Sequence, residues 1–230
     1  MYVTKLLFLL GGDKLESKFN CYVFETCQWK RLPSLNEKRR FATLITLNNS
    51  TNVLIGGEVD QGIQTKSVMF LKNEKWIQVD ELHKSVSHHC TVQAKDDTIY
   101  MIGGHMEFSP FSDETISFDA MNRRSTTIAA KLNRGRQLHC CARLGKNHII
   151  VVGGRDARGA LKSVETIDTR TSTKWIERKN LQLPSGISYA QLVSTNPSGY
   201  NFLQYSLINL ILYLSNKPLF TSQTKNDKRH

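Results

Sequence analysis

The chain alternates short apolar runs with polar turns, and four of the apolar runs end at a pair of glycines. The runs are rich in β-branched or aromatic residues and too short for helices, so each predicts a buried strand that ends in a glycine turn. The runs are residues 6–10, 53–55, 99–102 and 149–152, closed by Gly11-Gly12, Gly56-Gly57, Gly103-Gly104 and Gly153-Gly154. The pairs recur at intervals of 45, 47 and 50 residues. A period of that size predicts units that bury their apolar faces against one another, as in a propeller or a solenoid.

Tryptophan marks the same part of three units. Trp29, Trp76 and Trp175 follow their glycine pairs at similar distances, and Thr126 takes the equivalent place in the third unit. Between glycines and tryptophan we predict a further strand, at residues 20–24, 67–71, 115–119 and 163–168. Another is predicted to lead into each later unit, at residues 41–47, 89–94 and 138–143. Four short antiparallel strands per unit predict a propeller blade.

This order of marks resembles the kelch repeat: apolar strand, Gly-Gly, loop, a strand ending in an aromatic residue and an acid, then tryptophan and a basic turn. The clearest copy is residues 149–175, and the resemblance covers residues 5–203. It implies an all-β chain, a kelch-type β-propeller of four-stranded antiparallel blades. The predicted blades are residues 5–31, 41–79, 89–129 and 138–178, and a further blade begins at residues 189–203.

The repeat stops near residue 203, which divides the chain into a propeller at residues 1–203 and a tail at residues 204–230. Phe202 and Leu203 stand where a fifth glycine pair is expected. The apolar stretch at residues 207–214 is too short for a membrane span, so it is read as a substituted last strand or as sequence foreign to the repeat. About four blades are therefore expected, as an open arc of a larger ring or as a small closed ring. Because the chain begins inside its first blade, we expect a fragment that lacks an adaptor domain.

Composition favours one soluble β domain with a sizeable core, since 40% of the 230 residues are apolar. Five cysteines without close spacing predict no disulfide framework and a reducing, cytoplasmic location. The apolar start of the chain is too short for a signal peptide. The net charge of +11 is scattered among turns with interleaved acids, which disfavours nucleic acid as a partner.

Two His-Cys dipeptides, His89-Cys90 and His139-Cys140, invite a metal site, because both residue types bind zinc. However, Cys90 and Cys140 both lie 13 residues before a glycine pair, as Thr43 does. They are therefore equivalent inner-strand positions, and neither dipeptide has the close spacing of a zinc site. We predict small buried side chains there, and no metal or other cofactor.

Loops that follow the glycine pairs and loops between blades are predicted to emerge on the same side of a propeller. Arginine suits an acidic partner because its planar fork grips a carboxylate through two hydrogen bonds. We predict a partner-binding surface there, formed by Arg40, Arg136, Arg155, Arg158, His105, Phe108 and Phe111. The four arginines would line a basic pocket for an acidic segment, and the two phenylalanines are candidate interface anchors.

The resemblance implies a protein-interaction module rather than an enzyme. Many kelch propellers recognise substrates for cullin-type ubiquitin ligase adaptors, and others bind actin. The alternative is an enzyme on a kelch propeller, either a sugar epimerase or mutarotase or a copper radical oxidase similar to galactose oxidase. Glu58, His105 and Arg155, each first after its glycine pair, are the residues that could converge in the site of a sugar epimerase or mutarotase, whereas no tyrosine and histidine cluster of an oxidase is visible.

Overall fold

The computed structural model describes residues 6–9, 21–25, 28–47, 49–60, 62–94, 98–128, 130–171, 173–194 and 210–214. Within these residues the secondary structure is all-β apart from one short 3₁₀ helix, Lys179–Leu181, as the sequence predicts. No helix in this part of the chain has the length and hydrophobicity needed to cross a membrane. The predicted pair Gly11-Gly12, the Phe202-Leu203 position and the basic tail lie outside the described residues.

The first two blades are antiparallel sheets that follow one another along the chain. The first contains β1 (Leu6–Leu9), β2 (Cys21–Glu25) and β3 (Gln28–Leu32) in that order. The second contains β4 (Thr43–Thr46), β5 (Asn52–Ile55), β8 (Ser67–Lys72) and β9 (Lys75–Glu81), and the hairpin of β6 (Glu58–Asp60) and β7 (Ile63–Gln64) extends from it. Neighbours in sequence are neighbours in each sheet, which is the order expected of a propeller blade.

The third and fourth blades repeat the four-stranded order. The third contains β11 (Cys90–Gln93), β12 (Thr98–Ile102), β14 (Thr115–Asp119) and β15 (Arg124–Thr127), with β10 (Val86–Ser87) paired to β13 (His105–Met106) beside it. The fourth contains β16 (Cys140–Leu144), β17 (His148–Val152), β20 (Val164–Asp168) and β21 (Ile176–Glu177), with the hairpin β18 (Arg155–Asp156) and β19 (Gly159–Ala160). The predicted strand positions of these blades are therefore confirmed.

The last described sheet is the pair of β22 (Ala190–Ser194) and β23 (Leu210–Leu214). They pair antiparallel along their whole length, from Ala190 opposite Leu214 to Ser194 opposite Leu210. A small closed ring would instead pair β22 with β1, and among the described residues β1 pairs only with β2. β23 lies in the predicted non-repeat tail. It pairs with the inner strand β22, as β5, β12 and β17 pair with the inner strands of their blades.

The core consists of apolar layers between neighbouring blades. In β12, Ile99 and Met101 pack with side chains of the second blade, whereas Tyr100 and Ile102 pack with side chains of the fourth. Alternate residues of a strand point to opposite faces, so a strand that is apolar at every position is buried on both sides. Burying one such side chain stabilises the fold by about 1.5–3 kcal/mol. The blades therefore depend on their neighbours for stability.

The tryptophans join the same layers where a preceding blade is present. Trp76 is buried between the first and second blades, and Trp175 is buried between the third and fourth. Trp29, by contrast, is 56% exposed, because no blade among the described residues covers that side of the first blade. Thr126 lies in β15, the outermost strand of the third blade, as Trp29 lies in β3, the outermost strand of the first blade.

Three of the glycine pairs form backbone hydrogen bonds to the loop that leads into the following blade. Gly57 has a φ of +95°, and its N–H donates to the carbonyl oxygen of Val86, in the loop entering the next blade, at 2.7 Å. Gly104 has a φ of +93° and donates to the carbonyl oxygen of Arg136 at 2.8 Å. The pair at Gly153-Gly154 repeats this geometry with Ile187 as the acceptor. Other residues are strained at such φ angles, and a Cβ would collide with the neighbouring backbone.

One prediction from composition is wrong. Cys90 in β11 and Cys141 in β16 form a disulfide between the inner strands of neighbouring blades, with their Cα atoms 5.9 Å apart. The sequence separation of 51 residues hides this proximity, because it arises only when the third and fourth blades stack. Cys21 and Cys140 are free and buried.

Candidate functional site

The candidate site is the end of the blades where the chain leaves each glycine pair; we call it the glycine-turn face. It is formed by the hairpins that follow Gly57, Gly104 and Gly154 and by the loops that connect one blade to the next. The two kinds of loop pair with each other through backbone hydrogen bonds. The paired positions are Arg40 with Glu58, Ser87 with His105, and Gln137 with Arg155. This pairing places each first residue after a glycine pair at an equivalent position of the face.

A line of four residues crosses the glycine-turn face from blade to blade: Phe41, His88, Leu138 and Tyr189. Each has a left-handed φ, between 55° and 58°. The N–H of each later residue donates to the carbonyl oxygen of the previous one, at 3.0 Å, 3.0 Å and 2.9 Å along the line. Left-handed φ angles are uncommon outside glycine, so this repeated conformation indicates a constrained and rigid surface.

Glu58 is the buried centre of a polar cluster on this surface. Its Oε2 accepts from Arg40 Nε at 3.0 Å, and its Oε1 lies 3.4 Å from Ser87 Oγ and 3.6 Å from His88 Nδ1. The His88 ring stacks on Phe41 with ring centroids 3.8 Å apart. Burial lowers the pKa of His88, and the attraction of Glu58 opposes that shift without reversing it. At pH 7 the cluster therefore holds one ion pair and a neutral histidine.

Ser87, His88 and Glu58 do not form a catalytic triad. In a triad the serine contacts one ring nitrogen of histidine and the carboxylate contacts the other, so that histidine can relay a proton. Here Ser87 Oγ, at 3.0 Å, and Glu58 both face His88 Nδ1. The contacts therefore position the ring without preparing Ser87 for nucleophilic attack.

The predicted role of Arg136 in partner binding is wrong, because this side chain is fully buried. Its Nη2 pairs with the equally buried Glu165, and its Nη1 donates to the carbonyl oxygen of Gly153 at 3.0 Å. Burial lowers the pKa of Arg136, and Glu165 acts most strongly against that shift. Arg136 is therefore an internal brace that joins the inter-blade loop to the fourth blade.

Arg155 and Arg158, two of the arginines predicted to line a basic pocket, lie on the surface of the fourth blade. Both are exposed, and within the described residues neither guanidinium has a hydrogen-bonding partner or a salt bridge. Arg134 is also exposed, but it pairs with Asp156. A cleft of about 290 Å³ lies beside them, and its lining includes Arg134, Asp156, Arg158, Lys162, Glu177 and Gln182. Of the four arginines predicted to bind a partner, Arg155 and Arg158 are therefore the two whose side chains are exposed and form no hydrogen bond or salt bridge within the described residues.

His105, Phe108 and Phe111 lie together on the third blade. His105 is half-buried and accepts from Gln64 of the neighbouring hairpin at 3.1 Å. Phe108 is 100% exposed, at the tip of a two-residue turn closed by hydrogen bonds between Met106 and Ser109. Phe111 is half-buried against the next loop. Only Phe108 is therefore fully available as an anchor.

Comparison with known proteins supports the resemblance in the sequence. No protein-family model matches the chain. Kelch-like protein 41a of Danio rerio is 22% identical over 181 residues, 74% of this chain and 30% of that protein. Kelch-like protein 36 of Rattus norvegicus and of Mus musculus is 28% identical over 129 residues, 53% of this chain and 21% of those proteins. The four-stranded blades agree with that similarity. The chain is similar to kelch-like proteins, and its repeated blades are of the kelch type.

The chain spans less than a third of the length of these kelch-like relatives. Protein–protein interaction is the general role that the kelch-like similarity supports for this part.

The two His-Cys dipeptides occupy equivalent positions of the kelch repeats. His89 packs its Cβ near Gly104 of its own blade and extends its ring toward Gly56 of the preceding one, and His139 does the same with Gly154 and Gly103. Complete burial lowers the pKa of both to about 3, so both are neutral at pH 7. Among the described residues no three potential ligands converge on a metal position. These histidines are packing residues between kelch blades.

Phe41, His88 and Tyr189 were missed as site residues, although the constant distance to the next glycine pair indicates that the first two are equivalent positions. Phe41, His88 and Leu138 each lie 15 residues before the first glycine of a pair. This spacing aligns them, but it does not show that the shared conformation turns Phe41 and Tyr189 outward. Lys162 was missed because it lies beyond the loop that directly follows Gly154, and only the hairpin of β18 and β19 brings it beside Arg158.

Proposed function

We propose that this chain is a protein-interaction module that binds an acidic segment of a partner protein on its glycine-turn face. Arg155 and Arg158 would hold the acidic side chains, and Phe108 would enter an apolar pocket of the partner. The observation that carries the proposal is that both arginines are exposed and that neither guanidinium forms a hydrogen bond or a salt bridge in the described part of the chain.

The charge pattern supports an acidic partner at the fourth blade specifically. Arg40 and Arg134 are already paired with Glu58 and Asp156, and Arg136 is buried. A carboxylate of the partner would therefore bind most favourably at Arg155 and Arg158, because it does not have to break a salt bridge there. A charge-assisted hydrogen bond of this kind stabilises a complex by about 1.5–3 kcal/mol.

The position of Phe108 supports a protein rather than a small molecule as the partner. Its hairpin is tied to the second blade by the contact of His105 with Gln64 and by the salt bridge of Glu107 with Lys66 at 3.6 Å. A fully exposed aromatic side chain on a braced turn loses little conformational freedom on binding, which is the property of an interface anchor.

Within the kelch-like family, we place this module at the substrate-recognition end of a cullin-type ubiquitin ligase adaptor. Binding of actin is the other role that the family resemblance implies, and an acidic segment would serve for either partner. The adaptor role requires an additional domain that recruits the ligase, so recruitment is not a property of the described blades.

The enzyme alternative receives less support from the geometry of the described residues. Glu58 is engaged by Arg40, His105 contacts Gln64, and Arg155 lies on another blade. Two of the three groups thus already have side-chain partners, which leaves them poorly prepared for acid–base catalysis.

A peptide-binding experiment tests the proposal. Peptides selected from a random display library on the immobilised protein are expected to be enriched in Asp and Glu beside an apolar residue. Changing Arg155 to Ala or Arg158 to Ala is expected to raise the dissociation constant of a selected peptide about tenfold each, because each removes about 1.4 kcal/mol or more. Isothermal titration calorimetry at two salt concentrations measures both the loss and its expected salt dependence.

The matched controls are Arg124→Ala, which removes an exposed arginine near the opposite end of the third blade, and Ile77→Ala, which removes an exposed apolar side chain from β9. Neither is expected to change the affinity by more than about twofold, since neither lies on the glycine-turn face. Equal losses in Arg124→Ala and Arg155→Ala would show that net charge alone governs binding and would contradict the proposal.

A further inference from the structure

The disulfide between Cys90 and Cys141 joins two blades at the base of the glycine-turn face. Cys90 begins β11, two residues after His88, and Cys141 lies in β16, three residues after Leu138. His88 and Leu138 are themselves joined by a backbone hydrogen bond of 3.0 Å. The Cα separation of 5.9 Å is typical of a disulfide, so the bond forms without displacing either strand.

The neighbouring cysteine is unsuited to the same chemistry. Cys140 is buried, its Sγ donates to the Val152 carbonyl oxygen at 3.5 Å, and burial raises the pKa of its thiol to about 12. Burial also raises the pKa of Cys21. Thiolates are the reactive species in disulfide exchange, so neither group competes effectively at pH 7. Cys141 is only half-buried, so it is the more exposed of the two cysteines in the bond.

We propose that Cys90 and Cys141 are a reversible redox latch that locks the third and fourth blades together. When the bond is closed, the third blade, which carries Phe108, and the fourth, which carries Arg155, are held in one orientation. When it is open, only noncovalent packing holds them. This inference concerns the stability of the blades and does not depend on the proposed partner.

The closing reaction is a thiol–disulfide exchange with a low-molecular-weight disulfide such as oxidised glutathione. The Cys141 thiolate attacks one sulfur of glutathione disulfide, breaks its S–S bond and releases one glutathione thiolate. The Cys90 thiolate then attacks Cys141 Sγ in the mixed disulfide and releases the second glutathione. Two electrons pass from the cysteine pair to the glutathione disulfide, and the two thiol protons are taken up by the released thiolates. Reduced glutathione reverses both steps.

The test is to equilibrate the full chain in glutathione buffers of varied redox ratio and then to trap free thiols with an alkylating agent. Peptide mapping by mass spectrometry is expected to find one disulfide, between Cys90 and Cys141, whose fraction rises as the buffer becomes more oxidising. Thermal unfolding is expected to show a melting temperature about 10 °C higher in the oxidised protein, because the bond closes a loop of 51 residues in the unfolded chain.

Two variants locate the effect. Cys141→Ser is expected to abolish the difference in melting temperature between oxidising and reducing buffers, whereas Cys140→Ser is expected to retain it. Mapping of the unaltered protein needs no variant, so the test stands even if a substitution prevents folding. A bond to Cys21, Cys27 or Cys140, or free thiols at both Cys90 and Cys141 in the most oxidising buffer, would overturn the proposal.

Discussion

Replacing Arg136 by methionine is expected to lower the free energy of unfolding by about 3–5 kcal/mol, because it removes one partner of a buried ion pair. Arg136 and Glu165 are both fully inaccessible to solvent. Glu165 would keep its contacts with Asn133, at 2.7 Å and 2.8 Å, but its charge would be left without a cation. Urea denaturation of the purified variant measures the loss. The dependence of the unfolding free energy on urea concentration, the m-value, is taken to equal that of the unaltered protein.

Two arginines provide controls for this prediction. Arg170 forms an exposed salt bridge with Asp168, and Arg170→Met is expected to cost less than about 1 kcal/mol. Arg39 is the repeat equivalent of Arg136 and bonds Gly56 O at 3.1 Å, but its Nη2 faces the sulfur of Met69 rather than a buried carboxylate. Arg39→Met is therefore expected to cost less than Arg136→Met. Equal losses in Arg136→Met and Arg170→Met would contradict the proposed brace.

Changing Gly104 to alanine is expected to lower the free energy of unfolding by more than about 3 kcal/mol, from backbone strain and a steric clash together. An added Cβ would lie 2.4 Å from Ser87 O and 2.8 Å from His89 Cβ. Neither atom is the end of a flexible side chain, so the inter-blade loop would have to move. Chemical denaturation again provides the measurement.

Gly62→Ala is the matched control, because Gly62 also has a positive φ, +77°, but no atom lies within 4 Å of an added Cβ. We expect it to cost about 1 kcal/mol, the backbone contribution alone. Gly57→Ala and Gly154→Ala, with equivalent contacts, are expected to resemble Gly104→Ala. A loss in Gly104→Ala no greater than that in Gly62→Ala would show that Gly104 is not packed closely against the loop at Ser87 and His89.

The repetition of the glycine pairs explains why so much of the fold could be predicted. The register of each inner strand follows from that spacing: Thr43, Cys90 and Cys140 each lie opposite the last residue before a glycine pair, namely Ile55, Ile102 and Val152. Local hydrophobic pattern and turn chemistry agree in these blades, so the sequence predicts both the strands and their order.

The candidate site was less predictable, because it depends on contacts between units. Arg136 and Arg155 both look like loop cations in the sequence, yet one is buried and the other exposed. The difference depends on Glu165, which lies in β20 and becomes the partner of Arg136 only after folding. The Cys90–Cys141 bond was missed for the same reason. Equivalence within a repeat is visible in a sequence, whereas contact between repeats is not.

The structure connects these features to the proposed function through rigidity. The glycine pairs, the buried Arg136–Glu165 pair and the line of left-handed residues hold the inter-blade loops against their neighbours. A surface that is already ordered loses little entropy on binding, which favours recognition of a short segment. The supporting positions are the same in each blade, whereas the residues proposed to bind the partner differ from blade to blade.

Amide hydrogen exchange in the presence of a selected acidic peptide locates the bound peptide on the protein. We expect slower exchange at the glycine-turn face, in the hairpin of β18 and β19 and in the turn that carries Phe108. We expect unchanged exchange in the turns at the opposite end of the blades, at residues 73–74, 121–123 and 145–147. Slower exchange at that opposite end, with no slowing at the glycine-turn face, would show that the peptide does not bind at the glycine-turn face.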